Sequence, residues 1–146
     1  MVSVVTLRGD SGQQRALMLR RAGNYLNGAW SYVAGHVEPN ETGWQAACRE
    51  LAEETGLAPK RLYATSFCEQ FYSAADDCIE IVPAFVAMVA TDAGVHLNGE
   101  HSAFRWLPFD AAMVALPFGS QRDLFAYVRR EFVDRPPSEF LRIAMG

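Results

Sequence analysis

GHVEPNETGWQAACRELAEETGL, residues 35–57, is the stretch that decides the fold. It reads as a loop followed by a helix. Pro39 and Asn40 break the preceding segment, and either Asn40 or Thr42 can cap a helix, because a short polar side chain accepts the first free backbone N–H groups. Gly56 supplies the stop, since glycine tolerates the left-handed conformation after a last helical turn. Trp44, Ala47, Cys48, Leu51 and Thr55 recur at helical spacing and form the expected buried face. Glu50, Glu53 and Glu54 stand at i, i+3 and i+4 and are expected together on a second, exposed face. Like charges so placed repel by about 0.2–0.5 kcal/mol per pair. Two readings follow: a solvated acidic face with Arg49 paired to Glu53, or a carboxylate cluster made favourable by a hard, oxygen-seeking divalent cation.

The wider spacing bears on that choice. Gly35, Glu41, Arg49, Glu50, Leu51, Glu53, Glu54, Gly56 and Leu57 fill every specified position of the pattern G-x5-E-x7-R-E-U-x-E-E-x-G-U, where U is aliphatic. In this the sequence resembles the Nudix hydrolases. The resemblance implies a loop-helix-loop that binds Mg²⁺ (or Mn²⁺) and holds a diphosphate while water attacks phosphorus. Carried onto this chain, it implies Glu50, Glu53 and Glu54 as metal ligands and the backbone carbonyl of Gly35 as a further one. Arg49 would orient the glutamates, and Glu41 would support the loop. Related pyrophosphohydrolases also place a metal-binding or base glutamate in a later loop, and Glu100 stands in such a loop here. The implied catalytic set is therefore Glu53, Glu54, Glu100 and Arg49. His101 is expected to be a loop residue supporting Glu100.

Composition narrows the function classes. The chain has 146 residues, enough for one domain with a real core, expected to run over 1–146. Half of it is hydrophobic, and the net charge is −4 with no basic run. That disfavours a nucleic acid polymer as substrate. A small nucleoside di- or triphosphate must then be held by local cations. Arg20-Arg21 follows an apolar strand and reads either as a polar strand end or as a substrate-binding contact at a pocket rim. Three cysteines without zinc-ligand spacing suggest reduced thiols in a cytoplasmic protein, with Cys68 and Cys78 expected to be buried. No signal peptide and no membrane-spanning run are expected. A homodimer is compatible with the sequence.

The remaining elements set the fold class. Strands are expected over Met1 to Leu7, Gln14 to Leu19 and Trp30 to Val33, then over Arg61 to Ser73 and Cys78 to Ala90 around a hairpin at Ala74–Asp77. Pro83 implies an edge position or a bulge in the second hairpin strand. Glu69 and Glu80 lie on these strands and could face the site, although lone strand carboxylates are more often solvated. A short strand over Ser102 to Leu107 precedes a helix begun by Pro108 at its first position and a last helix capped by Ser120. Strands, helix, strands and two helices suit an α/β fold, a Nudix-type α/β/α sandwich around a mixed β-sheet.

The segment Leu97-Asn98-Gly99-Glu100-His101 with Trp106-Leu107 resembles the branch acting on dihydroneopterin triphosphate and nucleoside triphosphates. The expected reaction is cleavage to a monophosphate and pyrophosphate. Tyr72 fits a tendency of diadenosine polyphosphate hydrolases, and the proline usual in ADP-ribose hydrolases is absent from Tyr72-Ser73-Ala74. A non-catalytic nucleotide-binding module is the remaining alternative, although such modules usually lose box carboxylates.

Overall fold

A computed structural model describes residues 1–146. Its organising strand is β1 (Val2–Arg8), buried along nearly its whole length. One side of β1 pairs in parallel with β6 (Cys78–Met88), Ser3 opposite Ala84 and Leu7 opposite Met88. The other side is shared. Leu7 and Arg8 pair with β2 (Arg15–Arg21), whereas Val2 to Val4 pair with β4 (Val33–Gly35). The two-residue β3 (Trp30–Ser31) pairs with β2, so the single strand expected over Trp30 to Val33 is split between two neighbours. This split places Gly35 directly opposite Val2, at the mouth of the opening between β4 and β2.

The sheet is completed by β5 (Arg61–Ser73), antiparallel to β6, and β7 (His101–Leu107), antiparallel to β2. Pro83 pairs with Cys68 of β5, but the pairing of β6 with β1 begins only at Ala84, so Pro83 lies where β6 has no β1 neighbour, as at an edge. The expected bulge is present beside it: next to the Cys68–Pro83 pair the ladder shifts between Ala64 and Cys68. There the Thr65 hydroxyl donates to the Ala84 carbonyl, and the Ser66 N–H donates to the Tyr127 hydroxyl. Pro83 thus sits beyond the end of the β1 ladder and beside a bulge, the settings in which a strand proline is tolerated.

Alternation along the strands divides the core into two layers. Val5, Leu7, Ala16 and Met18 face α2 (Phe109–Ala115) and α3 (Gly119–Val128), meeting Phe109, Leu124 and Phe125. Val2, Val4, Leu17 and Leu19 face α1 (Gly43–Thr55), meeting Ala46, Ala47 and Leu51. The expected α/β/α arrangement is therefore present. The C-terminal segment packs as well, since Ile143 N–H donates to Leu62 and Arg142 bridges to Tyr63. No helix is long and apolar enough to cross a membrane.

Several local expectations are corrected. Thr42, not Asn40, caps α1, in a reciprocal box with Gln45. Pro108 is the residue before α2 rather than its first. Ser120 does not cap α3; Phe118 precedes the helix, and the Ser120 hydroxyl turns inward to Glu69. Cys68 and Cys78 are exposed free thiols rather than buried ones, because the hairpin tip of β5 and β6 projects beyond the core.

Candidate functional site

Three chain segments meet at the mouth beside β4: its own end at Gly35, the solvent-side face of α1, and the loop entering β7. The approach of α1 to β4 is so close that a methyl group on Gly35 would lie 2.1 Å from the Glu50 carboxyl carbon. Glycine is required here by space, not by backbone conformation, because Gly35 is absent from the positive-φ residues.

Arg49 organises the acidic side chains around it. Its Nε donates to Glu41 Oε2 at 2.7 Å and its Nη2 to Glu41 Oε1 at 2.9 Å, a bidentate pairing. Nη2 also donates to the His36 carbonyl at 2.8 Å, which ties α1 to the 36–42 loop. Nη1 reaches Glu50 at 2.9 Å and Glu53 at 3.2 Å. The Arg49 hydrogen bond, helped by the Glu38 N–H, holds the Glu41 carboxyl below the usual range. The expected Arg49–Glu53 pair exists, but as one of several contacts to a single guanidinium.

The three helix glutamates do not share one exposed face. The Glu53 side chain is 54% exposed and Glu50 is half-buried. Glu54 is 2% exposed, enclosed between α1, β4 and the start of β7. Its Oε2 has no hydrogen-bond partner. Burial, then the charges of Glu100 and Glu50, push the Glu54 carboxyl up to about 9, with the Ala34 N–H acting in the opposite sense. The helix turns Glu54 inward because its apolar face is centred on Ala46, Ala47, Leu51 and Thr55. Trp44 and Cys48 lie at the margin of that face rather than in its centre.

Glu100 is held by its neighbours. Its carbonyl accepts from Ala22, its N–H donates to the Asn98 side chain, and Asn98 Nδ2 donates to its carboxylate at 3.3 Å. His101 does not support Glu100. It opens β7, is buried, and places Nδ1 3.6 Å from Glu54 Oε1, beyond hydrogen-bonding distance. Both ring nitrogens lack partners. Burial and the charge of Arg21 hold its pKa below the usual histidine value, against an opposing pull from Glu100. Nothing in the sequence around His101 marks it as buried; only the pairing of β7 with β2 brings it to Glu54.

Beside this cluster lies a cavity of about 450 Å³. Ala34, next to Gly35, lines it together with Arg21, Trp30 and Tyr72. Arg21 packs over the Tyr25 ring and donates to the Tyr25 carbonyl. Arg20 points elsewhere, with its guanidinium over Gly28. Of the arginine pair, only Arg21 borders the cavity. The sequence left Glu69 either facing the site or solvated, and the structure buries it in the cavity wall: Glu69 is 8% exposed and accepts from the hydroxyls of Tyr32, at 3.3 Å, and Ser120. Glu69 is not solvated, while Glu80 remains partly exposed.

The donor set at the mouth is all oxygen: the carboxylates of Glu50, Glu53, Glu54 and Glu100, and the carbonyl of Gly35. As they stand, no three acidic, histidine or cysteine side chains are drawn together closely enough to enclose a cation. Arg49 holds Glu50 and Glu53, and Glu50 still stands close enough to Glu54 to help push its carboxyl up. The unpartnered, buried Oε2 of Glu54 and the cradle that a Gly35 methyl group would fill nevertheless suit a hard divalent cation.

The NUDIX domain family model matches residues 1–133. An octanoyltransferase of Myxococcus xanthus is 33% identical over 129 residues, covering 84% of this chain and 34% of that protein. The chain thus spans about a third of that relative's length. A bis(5'-nucleosyl)-tetraphosphatase (asymmetrical) of Caenorhabditis elegans is 30% identical over 112 residues, 75% of this chain and 79% of that protein. The solved structure of the E. coli dihydroneopterin triphosphate pyrophosphohydrolase superposes with a TM-score of 0.69 at 26% identity, covering 85% of this chain and 90% of that one.

Proposed function

Since the chain belongs to the Nudix hydrolases, a family acting on pyrophosphate bonds, we propose that it cleaves a nucleoside triphosphate or a related compound such as dihydroneopterin triphosphate, giving a monophosphate and pyrophosphate. The observation that carries this reading is the all-oxygen cluster at Gly35 and α1, with Ala34, the residue before Gly35, in the wall of a cavity of about 450 Å³, a size suited to a small ligand. Glu50, Glu53, Glu54 and the Gly35 carbonyl would hold Mg²⁺ or Mn²⁺, with Glu100 completing the set from the opposite side. A divalent cation there supplies neutralisation of phosphate charge, polarisation of phosphorus and acidification of a bound water. Arg49 keeps Glu50 and Glu53 in place from behind, and Glu41 keeps Arg49 in place. Arg21, at the cavity wall, contributes positive charge for the phosphate chain. Residues 1–146 act as one domain in this reading, and the three free thiols support a cytoplasmic setting.

A second reading, hydrolysis of a dinucleoside polyphosphate, draws support from Tyr72 in the cavity wall and from the tetraphosphatase relative. Product analysis separates the two. With Mg²⁺, a triphosphate should yield its monophosphate and pyrophosphate, with no orthophosphate released directly. A strong preference for dinucleoside tetraphosphates over every triphosphate would overturn the first reading in favour of the second. No turnover of either class would overturn both.

A further inference from the structure

We infer that Glu69 reads the ring of the substrate, and that it selects rings carrying an amino group beside a ring N–H, as guanine and pterin do. The inference rests on the triphosphate reading only for where the phosphates lie.

Glu69, on β5, is the buried carboxylate in the cavity wall, more than 30 positions along the chain from Tyr32 and more than 50 from Ser120. Those two hydroxyls can approach it only as donors. Tyr32 stays protonated, because burial and then the Glu69 charge both push its phenol up. Two donors fix both carboxylate oxygens, and a carboxylate has about four acceptor positions, so roughly two remain. An ionised carboxylate cannot donate. A ligand edge meeting it must therefore present N–H or O–H donors and no acceptor, and on a flat ring those donors are N–H groups.

Common rings differ at this point. Adenine and cytosine flank their amino group with a ring nitrogen acceptor, which would face the carboxylate unfavourably. Uracil flanks its ring N–H with two carbonyls. Guanine and pterin place an amino group and a ring N–H side by side, matching the two carboxylate oxygens as a bidentate pair. The rest of the wall suits a flat ring: Tyr25, Trp30, Phe71 and Phe118 line the same cavity. Ala34, which also lines the cavity, adjoins Gly35, so the space in front of Glu69 extends to the residue beside the carboxylate site.

The test separates ring reading from hydrolysis. Metal-free protein is titrated calorimetrically with guanosine, neopterin, inosine, 1-methylguanosine and adenosine. Inosine lacks the amino group, and 1-methylguanosine lacks the ring N–H. Guanosine and neopterin should bind about 10- to 100-fold more tightly than the other three, the range for a good bidentate pair. In Glu69→Gln this ratio should fall toward one, since the amide presents a donor where an acceptor is needed. Glutamine keeps an oxygen for one of the two hydroxyls and can donate its N–H to the oxygen of the other; should the variant nevertheless melt early, the nucleoside series on the unmodified protein decides alone. Equal binding of guanosine and inosine, tighter binding of adenosine, an unchanged ratio in a folded Glu69→Gln, or no binding at all would overturn the inference. Selective guanosine or neopterin binding without turnover of any triphosphate would leave it standing and remove the triphosphate reading. Turnover of triphosphates irrespective of the ring would do the reverse.

Discussion

Substituting Gly35 by alanine tests the site's geometry with one methyl group. The added Cβ would lie 2.1 Å from Glu50 Cδ, 2.2 Å from Oε1 and 2.5 Å from Oε2. Ordinary contact begins near 3.4 Å, so the carboxylate must retreat by about 1.3 Å. The backbone offers no resistance, because Gly35 does not occupy the left-handed region. The obstructed group is the end of a flexible side chain, so folding should suffer little. Glu50 loses its 2.9 Å contact with Arg49, a partly exposed ion pair worth up to about 1 kcal/mol. In a chain of 146 residues that corresponds to a melting shift of about 2–4 °C or less. Catalysis has no such tolerance: a displacement near 1 Å at a reacting centre costs on the order of 10²-fold. Gly35→Ala should therefore keep its melting temperature while Mg²⁺-dependent kcat falls by about two orders of magnitude. Mn²⁺ affinity, read by calorimetry, should weaken in parallel. Gly94→Ala, whose methyl group would meet nothing closer than 3.5 Å, is the control. A Gly35→Ala protein with unchanged kcat and unchanged Mn²⁺ affinity would refute the assignment of Glu50 and Gly35 to the metal site.

Glu54→Gln should abolish turnover yet raise the melting temperature of the metal-free protein at pH 8. The fold pushes the Glu54 carboxyl up to about 9 from 4.5, so its favourable neutral form is fully present below about pH 4.5 and is lost as pH rises toward 9. Metal-free melting curves should accordingly decline over that window in the unmodified protein and flatten in the variant; parallel pH profiles would count against this. Arg49→Lys keeps the charge but cannot span Glu41, His36 and the two helix glutamates at once, so kcat should fall at least about tenfold at saturating Mg²⁺. Full activity in this variant would sink the positioning role. Glu100→Gln should lower kcat by on the order of 10²-fold with a smaller change in KM, because the phosphate contacts from α1 and Arg21 persist. Near-normal kcat across pH and metal concentration would remove Glu100 from the site.

The fold was legible because its signals are local. Alternating apolar residues over Val2–Leu7, the Thr42 cap, the Gly56 stop and the Ala74–Asp77 turn each depend on a few neighbours in the chain. Where the expectation left Asn40 or Thr42, the reciprocal Thr42–Gln45 box decides it locally, whereas at Pro83 only the end of the β1 ladder shows that β6 is unpaired on one side there. The free thiols show the limit of local reading. Cys68 and Cys78 sit in strongly β-prone segments, but β5 and β6 run past the sheet they belong to, and nothing near either cysteine records where the core ends.

The site divides along the same line. The spacing of Gly35, Glu41, Arg49 and the helix glutamates identified the group, since all of them lie on one loop and one helix. It did not rank them. Positions i, i+3 and i+4 share a helical surface, yet that surface spans enough arc for one margin to be solvated and the other to turn into the protein. Glu53 falls on the first margin and Glu54 on the second, against β4 and His101. The difference between an exposed carboxylate and one pushed to about 9 therefore arises from β7, nearly 50 positions later in the chain. The same logic hides the cavity wall. Tyr32, Glu69 and Ser120 come from β4's approach, a hairpin strand and a helix start, and each alone reads as ordinary for its element. Only their meeting creates a buried acceptor, and a carboxylate held by two donors keeps roughly two acceptor positions for donor groups of whatever fills the space in front of it.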